Sequence, residues 1–126
     1  MKKYKWIYEQ ALRLNTPKNK FVIWGTCLGF EAILYAASNY QIETTEVDTL
    51  NQAQKIKWVK SAYKNSEFDQ VIRKSVAKEM EEVPLAYFSH HWGFTTKDFY
   101  AVPQLKRDFK IVAFYKKKGK EIVAAI

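Results

Sequence analysis

Phe21-Val22-Ile23-Trp24-Gly25-Thr26-Cys27-Leu28-Gly29-Phe30-Glu31 is the stretch on which the reading of this chain turns. Four apolar residues run into Gly-Thr-Cys-Leu-Gly and then into a strongly apolar segment, a pattern that predicts a strand, a tight turn and a helix. Small residues two before and two after a nucleophile let a strained turn pass close to its neighbours and expose the side chain between them. Gly25 and Gly29 hold those two places around Cys27. A lone cysteine in an apolar segment is ordinarily a small buried hydrophobe. The paired glycines and the strand-to-helix setting favour a nucleophile instead. At a helix start, free N–H groups and the dipole favour a thiolate, and the backbone N–H of Leu28, one residue on, is a natural oxyanion donor.

Glu31 strengthens that reading. It is the only charged residue between Phe21 and Tyr40, on a helix otherwise made of Leu28, Phe30, Ala32, Ile33, Leu34, Tyr35, Ala36 and Ala37. A helix apolar nearly all round is expected to be buried, and a carboxylate on it needs a partner. Four residues after Cys27, Glu31 lies one helical turn along the same face.

Length and composition bound the rest. The 126 residues support one domain, and 48% hydrophobic with 16% aromatic residues argues for a packed core. One cysteine excludes an internal disulfide framework, and no run approaches the ~20 apolar residues of a membrane span. Basic residues open the N-terminus, but Glu9 and Gln10 arrive before any apolar core of a secretory signal. The net charge of +8 comes mainly from lysine, the only arginines being Arg13, Arg73 and Arg107. Without a helix-turn-helix, zinc-ligand or RNP-like pattern, no nucleic-acid partner is expected. The lysines read as a solvated surface, or as a field steering an anionic small substrate toward a cleft.

Taken in order, Tyr4, Ile7, Tyr8, Ala11 and Leu12 predict an amphipathic helix ending near Asn15-Thr16-Pro17. Gln41 to Val47 suits an extended segment, Thr49 to Gln54 a polar loop, and Ile56 to Val59 a short strand. Ser66-Glu67-Phe68-Asp69 resembles a capping box opening one helix through Met80, which Pro84 stops. Leu85 to Phe88 reads as a buried strand, and Phe109 to Tyr115 and Glu121 to Ile126 as two strands joined by a turn at Lys116–Lys120.

Trp24-Gly25-Thr26-Cys27-Leu28-Gly29-Phe30-Glu31 resembles the nucleophile motif of the γ-glutamyl hydrolases of folate polyglutamates, members of the class I glutamine-amidotransferase-like superfamily. A second match, His90-His91-Trp92-Gly93-Phe94-Thr95, is similar to that family's His-x-Trp/Phe-Gly-apolar-Ser/Thr stretch, and weaker similarity runs through the whole chain. The resemblance implies an α/β three-layer sandwich, a mostly parallel sheet with helices on both faces. It implies a cysteine-type hydrolase, an omega peptidase, with Cys27 as nucleophile, Leu28 as oxyanion donor, and Glu31 and His90 lining the site of a poly-γ-glutamyl folate. No cofactor or metal is implied. The family's compartments are vacuolar, lysosomal or extracellular.

The same resemblance places the general base in a Trp-His-Pro-Glu-like motif that these residues do not contain, and early strands that should precede Met1. Residues 1–126 therefore read as a single partial domain, the middle of the family's fold, with impaired catalysis and with exposed sheet edges that predict self-association. His90 and His91 are the only imidazoles. Adjacent residues of an extended segment point to opposite faces, so at most one faces Cys27. Two alternatives stand beside the hydrolase: an inactive remnant kept as a binding or interaction module, and a glutaminase subunit of an amidotransferase. The latter is disfavoured because, by resemblance, those enzymes carry Gln where Glu31 stands.

Overall fold

The computed structural model describes residues 2–126. Helix α1 (Lys2–Leu14) is followed by an extended segment and α2 (Leu28–Ala37), then by the short strands β1 (Thr45–Glu46), β2 (Gln52–Gln54) and β3 (Lys57–Trp58). Helices α3 (Lys60–Tyr63), α4 (Glu67–Val71) and α5 (Lys74–Glu82) lead to β4 (Ala86–Phe88) and β5 (Trp92–Gly93). The chain closes with α6 (Thr96–Ala101), α7 (Pro103–Asp108), β6 (Ala113–Lys117) and β7 (Lys120–Ala125). No helix of the described residues is long and apolar enough to cross a membrane.

The expected mixture of helix and strand is present, and the sheets are small. Strands β1 and β5 form one pair, β2 and β4 another, and β3-β6-β7 a three-stranded sheet. Every pairing among the described residues is antiparallel, so these residues do not by themselves build the expected parallel sheet. The hairpin β6–β7 is the most regular part. Lys118 (φ 47°) and Gly119 (φ 76°) both turn into the left-handed region, as a two-residue turn matched to the strand twist demands. Pairing steps from Ala113↔Ala125 to Phe114↔Val123, which leaves Ala124 as a bulge.

Two buried clusters hold the chain together. The first joins Leu34 and Ala37 of α2 to Phe94, Phe99, Val102, Leu105, Ile111 and Val123. The second joins Val47 and Ile56 to Ala113, Tyr115 and Ile122. Phe99, Leu105, Tyr115 and Ile122 are fully buried, so each removes its whole apolar surface from water. The stripe of α1 is less buried than its spacing predicts. Ala11 is buried, while Tyr4, Ile7 and Leu12 stay exposed.

Several local expectations are corrected. Phe21–Trp24 is extended but pairs with no strand among the described residues, and Val22 and Trp24 are 79% and 74% exposed. The polar stretch expected to be loop contains β2, because Gln52–Gln54 lies opposite Phe88–Ala86. The single helix expected over 68–80 breaks into α4 and α5, where Ile72 (ψ 120°) and Arg73 (ψ 137°) leave the helical region. Ser66 does not cap α4: its hydroxyl donates to the Tyr63 carbonyl (2.7 Å) instead. A cap of that kind sits at Thr95, whose Oγ1 accepts from the Asp98 N–H (3.0 Å). Strand β4 is only half covered, with Tyr87 exposed.

Candidate active site

Trp24-Gly25-Thr26 brings the extended segment against the start of α2. A Cβ on Gly25 would lie 2.5 Å from the Gly29 carbonyl oxygen and 2.6 Å from Ile33 Cδ1, so the close approach requires glycine there. Gly29 differs from expectation: a Cβ on it would meet nothing within 4 Å. The close passage needs one bare Cα, and the other glycine contributes its backbone as the surface approached.

Cys27 sits on the corner with φ 55° and ψ −119°, a conformation that residues with a Cβ rarely adopt. Its thiol is free and the residue exposed. Helix α2 begins at the next residue, and the Leu28 N–H has no acceptor among the described residues, as the first turn of a helix leaves it. Leu28's side chain points away into solvent. Glu31 donates its N–H to the Cys27 carbonyl (3.1 Å), which fixes it one turn on. Its half-buried carboxylate has no hydrogen-bond or ionic partner among the described residues.

Cys27, Glu31 and His90 line one cavity of about 890 Å3 between α1, the corner, β4–β5 and the end of β7. Ten aromatic residues contribute to its wall, among them Tyr8, Trp24, Phe30, Phe88, Trp92 and Phe94. Trp92 and Phe94 both belong to this wall, Phe94 buried and Trp92 half exposed. The ionisable carboxylates of the wall are Glu31 and Asp108, and no lysine or arginine side chain lines it. The lysine surplus therefore lies outside the wall of this cavity. Asp108 is already occupied by the Arg107 guanidinium (2.7 and 2.8 Å), which holds its carboxyl below the usual range.

The two histidines separate as adjacent extended residues should. His91 is exposed beside Asp48, with Nδ1 3.6 Å from the carboxylate, and is not part of the cavity wall. The His90 ring lies over Gly93, and Nδ1 is 2.5 Å from the Trp92 carbonyl oxygen while Nε2 is 3.3 Å from the Tyr115 hydroxyl. Burial pushes the Tyr115 phenol above its ordinary pKa, an effect partly offset by the hydrogen bond with Thr49.

Sequence reading missed Tyr115 and Thr49, whose hydroxyls meet beneath His90, and the contribution of α1 to the wall. The amphipathic spacing of Tyr8, Ala11 and Leu12 carries the second signal; nothing local to Thr49 carries the first. Among the described residues, no group of three or more His, Cys, Asp or Glu side chains could hold a metal ion.

Set against proteins of known activity, the chain is 26% identical over 106 residues to γ-glutamyl hydrolase 1 of Arabidopsis thaliana, covering 84% of this chain and 30% of that protein. It is 28% identical over 105 residues to γ-glutamyl hydrolase of Mus musculus, covering 83% and 32%. The chain is a distant, partial relative of the γ-glutamyl hydrolases. It spans about a third of the length of the curated relatives it matches. No protein-family model matches it. For this γ-glutamyl hydrolase relative, the structure brings Cys27, Glu31 and His90 to one aromatic cavity, and Leu28 is not among the residues of its wall.

Proposed function

We propose that this chain carries the nucleophile portion of a cysteine-type γ-glutamyl hydrolase, acting on γ-glutamyl amide bonds of poly-γ-glutamyl folates. The observation that carries the proposal is Cys27, held at positive φ at the head of α2 and on the same cavity as the unpartnered Glu31. In this reading the Cys27 thiolate attacks the amide carbon, the Leu28 N–H stabilises the oxyanion, and Glu31 and His90 contact substrate. The aromatic wall suits a planar, apolar group joined to the glutamyl tail.

The reading extends to the fold. Phe21–Trp24 is then one strand of a mostly parallel, three-layered sheet whose neighbouring strands are not among the described residues. By the same resemblance the compartment is vacuolar, lysosomal or extracellular. In this reading neither histidine serves as the general base, because His91 lies off the cavity and both His90 nitrogens face protein atoms. Loss of a base costs ~10² to 10⁴ in rate. These 126 residues by themselves are therefore expected to hold substrate and to turn it over slowly.

Purified chain and its Cys27→Ala variant should be compared on a γ-linked diglutamyl substrate. The expected Cys27-dependent turnover lies at least about a hundredfold below the ~10 per second of an average enzyme. Turnover within about a hundredfold of that rate would show that a base is present in the chain. Failure of the cysteine itself to react with a γ-glutamyl electrophile would remove the nucleophile assignment.

A further inference from the structure

Beneath the cavity, four hydrogen-bonding groups close a ring around His90. Thr49 is fully buried and grips the His90 carbonyl twice, through its N–H (2.9 Å) and its hydroxyl (3.1 Å). Its oxygen lies 3.3 Å from the hydroxyl of Tyr115, also fully buried, and that hydroxyl lies 3.3 Å from His90 Nε2. The other ring nitrogen, Nδ1, faces the Trp92 carbonyl at 2.5 Å.

A carbonyl oxygen only accepts, so Nδ1 carries a hydrogen. In the neutral ring Nε2 is then an acceptor, and the Tyr115 hydroxyl is the donor in reach. In a protonated ring Nε2–H donates to the Tyr115 oxygen, which turns its own hydrogen toward Thr49 Oγ1. The Thr49 hydroxyl spends its single hydrogen on the His90 carbonyl, so beside a neutral ring it holds His90 through the backbone alone, and beside a charged ring it also accepts from Tyr115. The ring is also held sterically. Phe88 lies across Tyr115 with centroids 4.3 Å apart and meets the His90 ring edge-on at 5.7 Å. A Cβ on Gly93 would stand 3.4 Å from His90 Cε1 and 3.0 Å from Ile122 Cγ2, so the bare backbone leaves the ring its place.

We propose that Thr49 and Tyr115 are positioning residues that lock His90 as the Nδ1–H tautomer, with Nε2 turned to the buried hydroxyl pair and withheld from Cys27. This rests on the reading of the cavity as a γ-glutamyl site, in which it assigns His90 to shaping the substrate wall and not to moving the nucleophile's proton.

Two measurements on the full chain, made without substrate, test the lock. Long-range ¹⁵N–¹H correlation spectra should show neutral His90 with its hydrogen on Nδ1, against a tautomer mixture for exposed His91. Diethyl pyrocarbonate, which attacks an imidazole lone pair, should modify His90 at least about fivefold more slowly than His91, the equivalent of one hydrogen bond of about 1 kcal/mol. Tyr115→Phe removes only the oxygen and should raise the His90 rate about fivefold. Thr49→Val should also raise it, and Thr49→Ser should restore the original rate. A hydrogen found on Nε2, or equal His90 rates in the parent and Tyr115→Phe, would overturn the proposal. If Tyr115→Phe fails to fold, the tautomer in the parent protein decides alone. An unreactive Cys27 would defeat the hydrolase reading and leave these results unchanged.

Discussion

Phe21–Trp24 and the β6–β7 hairpin are both apolar and extended, yet they meet opposite fates. The hairpin finds its partner two residues away, through a Lys118-Gly119 turn whose positive φ angles close it, and buries Tyr115 and Ile122 completely. Among the described residues the Phe21–Trp24 stretch has no strand beside it, and of its backbone N–H groups only that of Phe21 finds an acceptor, Asn15 Oδ1 at 3.3 Å. Hydrophobicity makes a segment ready to be buried; the supply of a paired edge decides whether it is. At the boundary between the two regimes lies Cys27, with a packed helix behind it and an unpaired segment ahead.

The contrast can be broken most forcefully in the packed half. Phe99→Ala empties a fully buried position in the cluster shared by α2, α6 and β7, and should cost about 3–5 kcal/mol by urea denaturation. A loss under about 1 kcal/mol would show that the core is as loose as the exposed stretch.

The glycines of the corner offer a sharper division. Gly25→Ala forces a methyl into the Gly29 carbonyl and should cost about 1–3 kcal/mol, whereas Gly29→Ala enters open space inside a helix and should gain about 0.5–1 kcal/mol. Equal effects at the two sites, measured from melting curves, would mean that the segment does not pass α2 as described.

The smallest effect belongs to the exposed stretch itself. Val22→Ser should change stability by no more than about 0.5 kcal/mol while improving solubility, since its side chain lies largely in water. A cost beyond about 1 kcal/mol would place Val22 against something, a second copy of the chain included, and a sedimentation series over concentration would identify it.

Legibility in the sequence followed the same division. The corner was readable because Gly25, Cys27, Gly29 and Glu31 lie within seven residues, and a local conformation needs only local residues. The terminal hairpin was readable for the same reason. Helices α6 and α7 escaped notice because six residues each, with Phe99 and Leu105 as their only buried members, are too short to show a period. Pro103 at the start of α7 and the Thr95–Asp98 cap were the signals available. The break between α4 and α5 was invisible because Phe68, Val71, Ile72, Val76 and Met80 keep helical spacing across it. The Thr49–Tyr115–His90 ring joins three distant parts of the chain, which no pattern along the sequence can bring together.

The Lys118-Gly119 turn has a kinetic consequence. Hairpins joined by two residues close in about 1–10 μs, because little loop entropy is lost before the first cross-strand contact forms. The cavity instead depends on encounters between remote segments, Tyr8 with Phe109 and Phe30 with Phe94. Such non-local contacts form late. Folding should therefore run from the C-terminal hairpin toward the corner, with the β6–β7 amides protected in pulse-labelled hydrogen exchange before those of α2. The cavity that holds Cys27 would then be the last part of the molecule to acquire its shape and the first to lose it.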